Sequence, residues 1–90
     1  MKKIKLSDFW YSSKLLTIHC DTEEKANKLL KAFDKYDRRW CDGEKYTNTN
    51  CWEDEKENTC YSNINQYSPL DFYKEENYEI YEFEDVDLGA

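Results

Sequence analysis

Glycine is nearly absent from this chain. Its two glycines, Gly43 and Gly89, stand far apart, so no glycine-rich loop is available to wrap a phosphate in backbone N–H groups, and nucleotide handling by that route is excluded. Close cysteine pairs are absent too. Cys20, Cys41, Cys51 and Cys60 are separated by 20, nine and eight residues, whereas structural zinc sites draw two ligands from one tight turn, spaced about two to four residues apart. No metal or other cofactor is expected, and in a reducing compartment the thiols stay free. The single histidine, His19, precedes Cys20 directly. On a strand the two side chains point to opposite faces, so they cannot form one hydrogen-bonded dyad, and a nucleophilic enzyme is not expected. No apolar run approaches the roughly 20 residues that span a bilayer. The start "MKKIKL" has the charge of a signal peptide, but Ser7, Asp8 and Lys14 interrupt the apolar stretch that should follow. A cytoplasmic protein without membrane contact is the expectation.

What the chain does contain is aromatic rings and acid. Of its 90 residues 39% are apolar and 17% aromatic, with a mean hydropathy of -1.10; a few large rings must therefore supply most of the burial in one small domain spanning residues 1–90. The net charge of -7 is unevenly placed. Residues 1–40 hold ten basic and six acidic side chains, a balance of +4, and residues 41–90 hold three and fourteen, a balance of -11. Such a second half repels nucleic-acid phosphates and anionic head groups, which argues against duplex binding, and it attracts a basic partner.

Alternation in "KLLTIHC" places Leu16, Ile18 and Cys20 on one face of a strand. A helix start follows, capped either by Asp21 with Glu24 in a capping box or by Thr22 one residue on. Ala26, Leu29, Leu30, Phe33 and Tyr36 then recur at helical steps, so an amphipathic helix is expected to run to Arg38 and to pack on Leu16 and Ile18. Trp40-Cys41 reads as a short extended segment turned by Asp42-Gly43, and residues 44–57 as a loop anchored by Cys51 and Trp52. Thr59 to Asn63 resembles a strand. Ser68-Pro69 predicts a helix N-terminus, with Ser68 as cap, and Asn77 a left-handed exit. The last strand, Tyr78 to Val86, sets Ile80 beside Tyr81, which calls for a bulge or for burial on both faces. The resulting order, βαββαβ, predicts a small α+β domain with one main helix on a largely antiparallel sheet.

Two constellations are candidates for function. Arg38, Arg39, Trp40, Tyr46 and Trp52 could surround a base or phosphate by stacking and charge; alternatively the rings close the core. The acids Glu53, Asp54, Glu55 and Glu57, with Glu75, Glu76, Glu79, Glu82, Glu84, Asp85 and Asp87, form either a solvated face or a surface that imitates the phosphates of nucleic acid before a Lys- and Arg-lined groove.

The segments "DTEEKANKLLKAF", "WCDG", "KENTCY" and "NYEIYEFED" together resemble a group of short proteins from phages and prophages of low-GC Gram-positive bacteria. The likeness runs from Thr17 to Asp87 and rests on Thr22, Glu23, Glu24 and Ala26, on Trp40 and Gly43, on Cys60 and Tyr61, and on Tyr78 to Phe83. These motifs are structural. The resemblance implies a phage accessory protein acting in the infected host cell. By analogy of size and charge with anti-CRISPR proteins, it implies a non-enzymatic inhibitor that binds a host defence protein with a basic surface. A sponge that sequesters a nucleotide immune signal in the aromatic and basic set, at an oligomer interface, is the alternative. A regulatory or structural prophage protein is the third.

Overall fold

A computed structural model describes residues 3–88; the ends of the expected 1–90 domain, Met1, Lys2, Gly89 and Ala90, lie outside the described residues. Its central body is the run β2 (Leu16–His19), α2 (Glu23–Lys35), β3 (Thr59–Ser62), β4 (Tyr67–Pro69), α4 (Leu70–Glu75) and β5 (Glu79–Glu82), which is the expected βαββαβ order of an α+β domain. The strands form one sheet in the order β4-β3-β2-β5. β3 pairs antiparallel with both β2 and β4, and β5 joins β2 in parallel. The second strand of the order is not the expected one. Trp40-Cys41 forms no strand, and only an isolated bridge between Arg39 and Lys45 stands beside it, while Tyr67–Pro69 is a strand that leads directly into the helix expected at Ser68-Pro69.

Each face of this sheet is covered by helix. Ile18 sits beside Tyr61 on one side and Tyr81 on the other, so one face presents Leu16, Ile18, Tyr61 and Tyr81 to Leu29, Leu30 and Phe33 of α2. On the opposite face α4 lays Tyr73 against Ser62 and Ser68, which buries Thr17 as well. Burial on both faces also explains the adjacent Ile80 and Tyr81 without a bulge.

A second small sheet closes the edge. β1 (Ile4–Lys5) pairs in parallel with β6 (Val86–Asp87), so the expected strand over residues 78–86 is broken by a 3-10 turn at Phe83–Asp85. Between β1 and β2 stands α1 (Leu6–Tyr11), whose Leu6, Phe9 and Trp10 recur at helical spacing and are all buried in the main core. Phe9 stacks on Phe33 at 5.8 Å, and Trp10 meets Phe33 edge-on at 4.7 Å.

Helix ends follow side-chain chemistry. Thr22 caps α2 by accepting the Lys25 backbone N–H at 3.2 Å, and Asp21 pairs instead with the Lys25 ammonium, so the capping box with Glu24 does not form. The helix stops at Lys35 rather than Arg38. Asp37 turns left-handed (φ 59°), the Asp37 N–H donates to Asp34 O and the Arg38 N–H to Phe33 O, which satisfies the last carbonyls early. Asn77 (φ 61°) ends α4 in the same way, as expected. Pro69, not Ser68, occupies the cap of α4; the Ser68 hydroxyl donates to the Tyr67 carbonyl. The expected loop over residues 44–57 holds a further short helix, α3 (Trp52–Glu55), with a 3-10 turn at Lys56–Asn58 behind it. Cys51 and Trp52 do anchor that segment, packed against the core.

Candidate functional site

Carboxylates dominate the surface of the second half, and the fold sorts them into two groups. Glu79, Glu82 and Glu84 are tied into the structure. The Tyr81 hydroxyl donates to Glu79 at 2.7 Å, which pushes the phenol up to about 12, and Glu79 is half-buried. Glu82 meets His19 Nδ1 at 2.8 Å, and His19 Nε2 faces the Glu57 carbonyl at 2.7 Å, so one imidazole links β2, β5 and the turn after α3. Glu84 shares the Lys25 ammonium with Asp21; those hydrogen bonds hold both carboxyls below their usual range. Asp54 accepts the Tyr67 hydroxyl, and Glu55 and Asp85 are half-buried. Glu53, Glu57, Glu75 and Glu76 form the other group: exposed, with no ion pair to any described residue. Asp87 is exposed at the end of β6.

This sorting follows from the local fold. Glu53 and Glu57 are carried out by the α3 segment, and Glu75 and Glu76 end α4 just before β5. His19 brings the Glu57 carbonyl beside Glu82 at the far end of β5, whereas Asp54 of the same segment reaches Tyr67 on β4, at the opposite edge of the sheet. Glu75 and Glu76 stand at the near end of β5, roughly 10 Å away along the strand.

The aromatic and basic set does not assemble around one cavity. Trp40 and Tyr46 lie in the core with their rings 4.5 Å apart, and burial pushes the Tyr46 phenol up. Arg38 stacks over Trp10 at 4.8 Å and over Tyr11 at 5.8 Å, and Arg39 donates to the Gly43 carbonyl at 3.3 Å. Trp52 lines a separate hollow beside Glu23 and Glu53.

A different aromatic hollow, of about 230 Å³, opens between the turn at residues 40–44 and the β3-β4 hairpin. Trp40 and Tyr67 form its walls, Asp42, Glu44, Asn65 and Gln66 reach it, and the two accessible cysteines, Cys41 and Cys51, both line it. In the sequence Tyr67 is legible only as a turn-flanking tyrosine after Asn63 and Asn65, and nothing in the order of residues couples it to Trp40. Cys20 and Cys60 are buried on opposite faces of the sheet, and burial pushes the Cys60 thiol up to about 12 and the Cys20 thiol further. Among the described residues no three His, Cys, Asp or Glu side chains converge as a metal site, and no helix is long and apolar enough to cross a membrane.

Comparison with protein families, with curated proteins and with solved structures finds no match to the chain.

Proposed function

We propose that this is a phage or prophage accessory protein, not an enzyme, that blocks a host defence protein in the cytoplasm of the infected cell by presenting carboxylates where that protein expects phosphates. One observation carries the reading: Glu53, Glu57, Glu75 and Glu76 are exposed without an ion pair among the described residues, in a half-chain whose balance is -11. Like charges left unneutralised on so small a domain repel one another, a cost that a basic groove would offset on binding. The nucleotide-sponge alternative draws less support, since Arg38 and Arg39 are engaged elsewhere and Trp40 and Tyr46 are core residues. The test is phage survival on low-GC Gram-positive cells that carry a nuclease-based defence system, compared with the same cells lacking it. Protection only where the defence is present, with no nucleotide released when the purified protein is heated, fits the blocking role. Release of a nucleotide that itself activates the defence would replace it with the sponge.

A further inference from the structure

The hollow beside Trp40 has walls and charge of one kind. The Trp40 and Tyr67 rings meet at 73° with centroids 5.7 Å apart, making an aromatic corner. Asp42 and Glu44 line its edge, and Asp54 accepts the hydroxyl of the Tyr67 wall. Among the described residues no Lys or Arg lines it. With Asp42 and Glu44 at the rim and Asp54 hydrogen-bonded to the Tyr67 wall, the hollow disfavours an anion. The Tyr67 face with carboxylates around it suits the opposite ligand, a flat and weakly hydrated cation.

Size narrows the choice. At about 230 Å³ the hollow falls below the roughly 300–1,000 Å³ of pockets that take a whole small molecule. It is large enough for one inserted side chain. Its parts are also held in place before any ligand arrives: the Gly43 N–H donates to Trp40 O at 2.8 Å, the Cys41 N–H to Asn65 O at 3.0 Å, and the Tyr61 hydroxyl to the Asn50 carbonyl next to Cys51.

We infer that this hollow is the anchor site for an arginine side chain of the basic partner, whose guanidinium lies against the Tyr67 ring, beside the buried edge of Trp40, and faces Asp42 and Glu44. The inference rests on the blocking role proposed above, and it adds a specific contact to a general charge attraction. Arginine rather than lysine is the occupant because its planar cation stacks on rings and is less strongly hydrated, and buried arginines are frequent anchors of protein interfaces.

The probe is capped arginine, N-acetylarginine methylamide, titrated into the intact isotope-labelled protein, with the capped citrulline as a neutral control of the same shape. Saturable shifts at the Trp40 indole N–H and at the Cys41 and Tyr67 amides are expected, with citrulline at least about tenfold weaker. The double variant Asp42→Asn with Glu44→Gln keeps its turn, because each new side-chain amide retains the acceptor oxygen used by the Glu44 backbone N–H or by Asn48; it should bind arginine about fivefold more weakly. Equal response to citrulline, or shifts spread over Glu53, Glu57, Glu75 and Glu76 instead, would overturn the inference. Its failure is separable from failure of the blocking role. If arginine ignores the hollow while reversing those four glutamates abolishes protection, the anchor is wrong and the blocking role stands; arginine seated in the hollow of a protein that protects regardless of those charges shows the reverse.

Discussion

At the scale of single residues, stability rests on a few rings and a few paired charges. Phe33 is fully buried and meets Phe9, Trp10 and Tyr46, the last edge-on at 5.0 Å. Phe33→Ala should cost about 3–5 kcal/mol, most or all of the margin of so small a domain. Urea unfolding checks this, and an unchanged midpoint would mean that the ring stack does not hold the core. Lys25 contributes to the response to acid. Its hydrogen bonds depress the carboxyls of Asp21 and Glu84 in the folded state, so the unfolded chain binds more protons than the folded one as these groups titrate. That contribution is present above the usual carboxylate range and is lost as pH falls through the depressed folded values. Lys25→Met should therefore flatten the acid limb of a stability-against-pH curve, and a variant that loses stability as steeply as the original would contradict the assignment.

At the scale of elements, the parts that could be read from sequence are those whose signal is local and repeated. The α2 stripe is one: Ala26, Leu29, Leu30 and Phe33 are buried as their spacing requires, and Leu16 and Ile18 lie in the same cluster. Asn77 is another, since a residue that tolerates the left-handed region marks its own exit. The elements that were not legible depend on distant partners. β1 and β6 are two-residue strands that exist only because Ile4 meets Val86 across the whole chain. α1 has six residues and no capping side chain, so its burial under Phe33, not its propensity, makes it a helix. The aromatic hollow depends on β4, whose Ser68-Pro69 pair signals the helix that follows and not the strand it closes. Helix exits give a direct test of this reading. Asp37 and Asn77 both occupy the left-handed region, where glycine has no Cβ penalty. Asp37→Gly should stabilise the protein by about 1 kcal/mol, and Asn77→Gly by less. Chemical denaturation checks both, and destabilisation by either would show that its side chain holds the exit through a contact.

At the scale of the whole molecule, the question is whether the acidic surface acts or only solubilises. The acids of β5 and of the turn after it are poor probes, because reversing Glu79, Glu82 and Glu84 would also break the contacts to Tyr81, His19 and Lys25. Glu53, Glu57, Glu75 and Glu76, exposed and without an ion pair among the described residues, are clean ones. Replacing Glu53, Glu57, Glu75 and Glu76 by Lys adds two charges at each position and moves the net charge from -7 to +1. The fold should tolerate this: Glu53 leaves the first turn of α3, at a cost of a few tenths of a kcal/mol, while lysines at the end of α4 suit its dipole. The direct measurement is phage survival on defended cells expressing this quadruple variant, beside its melting temperature. The account predicts a melting temperature within a few degrees of the original and protection reduced to the level of cells without the protein; a folded quadruple variant that protects as well as the original would contradict it.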